Sequence, residues 1–291
     1  MLPLRRQFSS DSSPQCPRHD GAETFRVITA IAAGGSVNQA NIPATGDLLD
    51  LSGATALVTG ASGNIGGTIA ERLAEAGASL ILHFHRNDTP VTELAARLGG
   101  AEILQADLTD SDAVQQLFTA VRPDLVVHNA AAQPVAGMGD MSFAEWRAVL
   151  AANLDSAFLV TQQAALAWVA AGVPGAIVNI GSIEGQDPAV GHSHYATSKA
   201  GVAMLTRAAA LEFGSAQIRV NCVSPGLIDR EGLARDWPDG VARWHDRVPL
   251  GRIGSAIDVA DAVLFLLSPA ARWISGANLI VDGGMSAQSK W

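Results

Sequence analysis

The chain has 291 residues, of which 48% are hydrophobic and 16% charged, and its formal net charge is −9; that excludes a disordered chain and is enough apolar material for a sizeable α/β core. The acidic balance would repel a phosphate backbone or an anionic bilayer, so neither nucleic acid nor a membrane is expected as partner. Cys16 and Cys222 lie far apart and belong to no CxxC or Cys/His cluster, which leaves no metal site of that kind and points to a reducing, cytoplasmic setting.

Residues 1–50 read differently from the rest. MLPLRRQFSSDSSPQCPRHDG mixes proline, serine, arginine and aspartate without periodicity, and no apolar stretch follows Arg5 and Arg6 as a secretory signal requires. A flexible N-terminal extension is expected there; a mitochondrial presequence is the alternative, because MLPLRRQFSS holds arginine and serine and no acid. No uncharged apolar run reaches the roughly 18 to 20 residues that span a bilayer.

Over residues 51–291 short apolar runs alternate with longer helical patterns, the mark of βαβ units and a parallel sheet. Seven runs read as strands, at 54–59, 78–84, 101–105, 124–129, 175–180, 218–223 and 278–283. Right-handed crossovers put helices on both faces and bury the strands twice, which explains their nearly unbroken Val, Ile, Leu and Ala. The expected fold is therefore α/β, a single Rossmann-type doubly wound sheet of seven parallel strands.

Between the first two strands, VTGASGNIGG leads into a helix over 65–76 that Gly77 closes. Glycines let a backbone approach a pyrophosphate, and the free amides at a helix start supply donors and positive potential. Gly60, Ser62, Asn64, Ile65 and Gly66 are the candidates for that contact. The end of the second strand indicates which dinucleotide. NAD enzymes place an acid there for the ribose 2′-hydroxyl, whereas this chain has His85, Arg86 and Asn87, with no acid until Asp88. A guanidinium grips phosphate oxygens through its planar fork, so Arg86 suits the 2′-phosphate of NADP(H).

HSHYATSKAG contains the only tyrosine in the chain, Tyr195, four residues before Lys199, one of just two lysines. On a helix, positions i and i+4 share a face, which sets a phenol beside an ammonium. A free phenol ionises near about 10, too high for ready proton exchange at neutrality. The charge of Lys199 is expected to make Tyr195 acidic enough to act as acid and base.

With TGASGNIG, HNAA (128–131), NIGS (179–182), YATSK (195–199) and SPG (224–226) in this order, the chain resembles the short-chain dehydrogenase/reductase family over about residues 51–287. The resemblance implies hydride transfer between a nicotinamide and a carbonyl or secondary alcohol, with Tyr195 giving the proton to the nascent alkoxide. It also implies that Lys199 holds the nicotinamide ribose and that Ser182 bonds the substrate oxygen. Asn153 would order a water on the proton path. By the same resemblance Asp107 meets the adenine amino group with Leu108 alongside. Asn129, Ala130 and Ala131 line the cofactor, and Pro225, Gly226 and Ile228 border its carboxamide. The family pairs the helix after Ser142 and the one holding Tyr195 across a dimer axis, so a homo-oligomer, dimer or tetramer, is implied.

Three departures stand out. Asn64 occupies the place of the middle glycine of TGxxxGxG, and its tolerance of left-handed backbone angles would let the turn survive. Ala131 replaces the glycine of the NAG element, and Arg230 stands where a threonine usually follows the PG motif. LILHFHRND resembles the NADP-gripping segment of pteridine reductases, VDGGMS is shared with 3-oxoacyl-carrier-protein reductases and sugar dehydrogenases, and neither names the substrate. Residues 227–255, with Trp237, Trp244, His245, Arg235, Arg243 and Arg247, read either as a lid over a polar small-molecule substrate or as an oligomer interface. An NAD(H)-dependent sugar or polyol dehydrogenase and a catalytically silent dinucleotide sensor are the competing readings.

Overall fold

The computed structural model describes residues 43–288. Seven parallel strands form one sheet: β1 (Thr55–Val58), β2 (Ser79–Phe84), β3 (Glu102–Gln105), β4 (Leu125–His128), β5 (Gly175–Ile180), β6 (Ile218–Pro225) and β7 (Asn278–Val281). Their order is β3-β2-β1-β4-β5-β6-β7. All six pairings are parallel, with Ala56 opposite both Leu80 and Leu125. The order reverses between β1 and β4, and an open α/β sheet binds ligands outside its strand C-termini at such a switch point.

The strand alternation divides the core into two layers. Ala56, Val58, Leu80 and Leu82 pack with Ile69 and Leu73 of α1 (Asn64–Glu75), with Val91 and Leu94 of α2 (Thr89–Arg97), and with Val259, Val263 and Leu267 of α9 (Ala256–Leu267). Leu57, Ile81, Val126 and Ile177 point the other way. They meet Val114, Leu117 and Phe118 of α3 (Ser111–Ala120), Val160 and Trp168 of α5 (Ser156–Ala171), and Ala209 of α6 (Ser193–Phe213). No described helix is long and apolar enough to cross a membrane.

The helix expected after Ser142 is built in two parts. Ser142 opens α4 (Phe143–Leu150) with a reciprocal capping box to Glu145, and a π-helical turn, Ala151–Asp155, joins α4 to α5. One extra residue in the turn redirects the side chains it carries, Asn153 among them, a device common at functional sites.

Of the expected N-terminal extension, residues 1–42 lie outside the described residues. Residues 43–50 depart from the expectation. They contain a 3-10 turn, Thr45–Asp47, and the Leu48 carbonyl accepts the Ala270 amide. Leu51 then packs into the core.

The segment 227–255 folds into two short helices, α7 (Leu233–Asp236) and α8 (Pro238–Arg247). Its base is pinned where Ile228 bridges Gly254 and the Asp229 amide donates to the Gly254 carbonyl at 2.7 Å.

Candidate active site

The glycine turn is fixed by contacts from beneath. Gly60 has φ +64, and a Cβ on it would come within 2.9 Å of the Ala130 Cα. At Gly66 a Cβ would lie 2.3 Å from the Gly60 carbonyl oxygen. Asn129 holds the turn by donating from Nδ2 to the Thr59 and Gly60 carbonyls at 3.1 and 3.2 Å. The first turn of α1 has no side-chain cap and no acid. Among the described residues no side chain caps its amides, which lie beside a surface only glycines can line, a cradle suited to a pyrophosphate. Ser62 and Ile65 sit in this turn, half-buried.

Asn64 behaves differently from the expectation. Gln217 is the sole described non-glycine residue with positive φ, so Asn64 adopts no left-handed angle; it is the first residue of α1, and Gly60 takes the left-handed position. Its side chain donates instead to the Asp229 carbonyl at 2.8 Å, which ties the glycine turn to the base of segment 227–255.

Two residues that sequence reasoning missed support the same turn. The Thr59 hydroxyl accepts the Asn129 and Ala130 amides at 3.0 and 3.1 Å. His83 is fully buried, takes the Gly60 amide on Nδ1 at 3.2 Å and lies 3.1 Å from the Ala106 carbonyl through Nε2. Burial holds its pKa below the usual imidazole value, so a neutral ring accepts at Nδ1 and donates at Nε2. A histidine in a strand otherwise buried on both faces was the available signal, because a buried polar group needs partners.

At the far end of the groove His85, Arg86 and Asn87 are exposed after β2. Asp107 comes alongside, with Oδ2 3.7 Å from His85 Nε2. Hydrogen bonds from Thr109 hold its carboxyl below the ordinary value, helped by His85 and Arg86. Leu108 is buried among the side chains around Val114 and Leu117, so its side chain belongs to the core. On the opposite flank, the Gly226 amide donates to the Val281 carbonyl, and Trp244 of α8 closes over Gly226, where a Cβ would meet its ring at 2.9 Å. Pro225 ends β6 beside it. Arg230 forms an ion pair with Asp236 at 3.0 Å within segment 227–255. Ala131 is exposed at the start of the loop after β4.

Between the two flanks, β5 and α6 bring the expected catalytic residues together. Ser182 follows β5 and its hydroxyl accepts the Glu184 amide at 3.1 Å; Tyr195 and Lys199 lie one turn apart on α6. Lys199 Nζ donates to the Ile180 carbonyl at 2.7 Å and lies 5.7 Å from the Tyr195 ring centre. Asn153 is buried, with Oδ1 accepting the Ala132 amide at 2.7 Å and Nδ2 donating to the Ala132 carbonyl and to Ser198 at 2.9 and 3.0 Å. It thus ties the loop after β4 to α6, the helix of the phenol.

One electrostatic expectation needs correction. In the chain on its own, Lys199 does not make Tyr195 acidic: burial pushes the phenol up to about 12, opposed by a hydrogen bond with Ser182 and reinforced by the Glu184 charge. Burial also brings Lys199 down to about 8. At 8% and 3% exposure, desolvation penalises the charged form of both groups and is the leading cause of each shift.

The same burial makes the strand ends acid-sensitive. His128 at the end of β4 lies 3.0 Å from the Ser156 hydroxyl, and burial, then the Lys199 charge, lower its pKa from 6.5 to about 3. A histidine lowered on folding takes up a proton only in the unfolded chain between those two values. Its contribution is therefore full above 6.5 and is lost as the pH falls toward 3. Urea-unfolding midpoints should decline over that window, and His128→Asn should decline less steeply.

Comparison with known proteins agrees with this fold. The family profile described as enoyl-(acyl carrier protein) reductase matches residues 60–286. The L-xylulose reductase of Mesocricetus auratus is 36% identical over 239 residues, covering 81% of this chain and 98% of that protein. The 3beta-hydroxysteroid dehydrogenase 1 of Eggerthella lenta is 32% identical over 248 residues, covering 81% and 95%. A crystal structure of a gluconate 5-dehydrogenase from Burkholderia cenocepacia in complex with NADP and tartrate superposes with a TM-score of 0.78 at 31% identity, covering 84% of this chain and 99% of that one.

Proposed function

The chain belongs to the short-chain dehydrogenase/reductase family, NAD(P)-dependent oxidoreductases acting on CH–OH and C=O groups, and from that premise we propose an NADP(H)-dependent enzyme in which Tyr195 transfers the proton. The observation that carries this reading is the convergence of Ser182, Tyr195, Lys199 and the Asn153-anchored loop beside a glycine cradle at the switch point of the sheet. NADP(H) supplies or accepts the hydride when bound. The α1 amides and glycine turn hold its pyrophosphate, Arg86 with His85 and Asn87 its 2′-phosphate, and Asp107 its adenine edge. Asn129, Ala130 and Ala131 line the groove, and Pro225, Gly226 and Ile228 border the carboxamide.

In reduction, Ser182 donates a hydrogen bond to the carbonyl oxygen and Tyr195 delivers its proton to that oxygen as the alkoxide forms. Held by burial at about 12, the phenol keeps its proton across neutral pH, and the alkoxide formed by hydride transfer is a stronger base than phenolate and can take it. Lys199 and Asn153 position the phenol and its loop. A catalytically silent sensor has no use for a buried phenol next to a serine hydroxyl. Phe158, Met204 and Leu211 leave apolar side chains exposed on α5 and α6, which supports a homo-oligomer, a dimer or tetramer.

Fluorescence titration tests the cofactor assignment. Wild-type protein should bind NADPH more tightly than NADH, and Arg86→Ala should weaken NADPH by about 10- to 100-fold, the worth of a charge-assisted phosphate bond, with NADH unchanged. Equal affinity of the wild type for both would favour the NAD(H)-dependent sugar or polyol dehydrogenase.

A further inference from the structure

Three polar side chains outside the catalytic set gather next to Tyr195. Glu184, on the 3-10 turn just after Ser182, receives hydrogen bonds from His192 Nδ1 at 2.8 Å and from Gln133 Nε2 at 3.1 Å. His192 precedes the first residue of α6, and its ring stands edge-on to the Tyr195 ring, 6.0 Å between centroids. The Glu184 and His192 side chains are each 17% exposed, sheltered enough to keep their geometry and open enough to meet a ligand. The loops that carry them are tied together, because the Ala136 amide donates to the Gly191 carbonyl at 2.9 Å. Glu184 follows Ser182 by two positions and its amide donates to the Ser182 hydroxyl at 3.1 Å, so it borders the reacting position.

These groups keep hydrogen-bonding capacity to spare. With Nδ1 engaged by the carboxylate, the His192 ring retains Nε2 for a ligand hydroxyl, which can donate or accept. Glu184 has further lone pairs, and Gln133 a second N–H and its carbonyl. Residues 129–141 and 182–195, on which the trio sits, contain Asp140, Glu184 and Asp187 and neither lysine nor arginine. Among the described residues no lysine or arginine pairs with Glu184. In the lid segment, Arg230 and Arg235 hold Asp236, and Arg243 lies over the Trp237 ring. A carboxylate brought to this wall would meet the Glu184 carboxylate with no lysine or arginine paired to it, and an apolar alcohol would leave the trio's spare hydrogen-bonding groups unused.

We propose that Gln133, Glu184 and His192 form a specificity wall that selects a neutral polyol or polyhydroxy ketone and rejects both sugar acids and alcohols lacking further hydroxyls. The inference rests on the reading of Tyr195 as the proton-transfer group of this site, and it names the substrate class.

The test measures binding apart from turnover. Full-length protein saturated with NADP+ is titrated with xylitol, gluconate and cyclohexanol, followed by tryptophan fluorescence. Xylitol should bind at least about tenfold more tightly than either of the others, as expected of a site built to hydrogen-bond hydroxyls. Glu184→Gln should weaken xylitol by about tenfold and narrow the gap to gluconate; His192→Phe should weaken xylitol alone. Each variant is first checked for a wild-type melting temperature, and the two substitutions guard against one of them failing to fold. Gluconate or cyclohexanol binding as tightly as xylitol to the wild type overturns the proposal, as do two folded variants with an unchanged xylitol preference. Turnover with any of the three alcohols that disappears in Tyr195→Phe keeps the dehydrogenase reading whichever compound binds best. Its absence for all three, with xylitol still preferred in binding, overturns that reading and leaves the wall.

Discussion

Tyr195→Phe should lower kcat for carbonyl reduction by about 10³-fold, within the range that a positioned acid contributes, while NADPH binding changes little. The phenylalanine ring fills the same volume in α6 and keeps its contact with His192, so what is removed is the hydroxyl that interacts with Ser182. Hydride transfer to a carbonyl then creates an alkoxide with no proton donor, and the barrier rises by the lost proton transfer. Stopped-flow turnover beside cofactor titration separates the two quantities. Full turnover in the variant would remove Tyr195 from the chemistry; loss of cofactor binding would mean that the ring, and not the hydroxyl, was being measured. Burial raises the phenol to about 12 in the chain alone. Reductive turnover should accordingly hold up through neutral pH and fall only on the alkaline side, as the donor loses its proton.

Gly66→Ala should abolish measurable dinucleotide binding, a loss of at least about 100-fold, and destabilise the fold by about 1–3 kcal/mol, the usual cost of forcing an extra methyl into a packed site. The added carbon would stand 2.3 Å from the Gly60 carbonyl oxygen and 2.6 Å from the Asn129 amide nitrogen. Neither can retreat cheaply. The Gly60 oxygen is backbone of the turn itself, and the Asn129 amide holds that turn through two hydrogen bonds. Relief therefore requires the start of α1 to move off the turn, which separates the amide donors from the place where a pyrophosphate would sit. Fluorescence titration and urea denaturation measure the two effects. NADPH affinity within about threefold of wild type would show that the cradle is not where the phosphates bind.

The contrast between Asn64 and His83 shows where sequence reasoning reaches its limit. Asn64 stood in a recognisable place, but its role comes from a bond to Asp229, 165 positions away, which no local pattern encodes. His83 was one polar letter in an apolar strand. Its two ring nitrogens acquire meaning only when β2 lies beside β1 and β3, with the Gly60 amide on one side and the Ala106 carbonyl on the other. Glu184 likewise acquires its partners when the loop after β4 folds against the one after β5.

From the sequence alone came the alternation of strands and helices, the glycine turn after the first strand, the basic end of the second, and the phenol one helical turn from an ammonium. These are short-range matters, set by periodicities of two and 3.6 residues and by the special backbone freedom of glycine. The tertiary structure alone decided which of the titratable groups burial governs. Neighbour and solvent distances set the balance between desolvation and charge attraction. Those distances exist only once β4, β5 and α6 have packed, which is why the Tyr195 phenol moves up where its spacing from Lys199 argued for down.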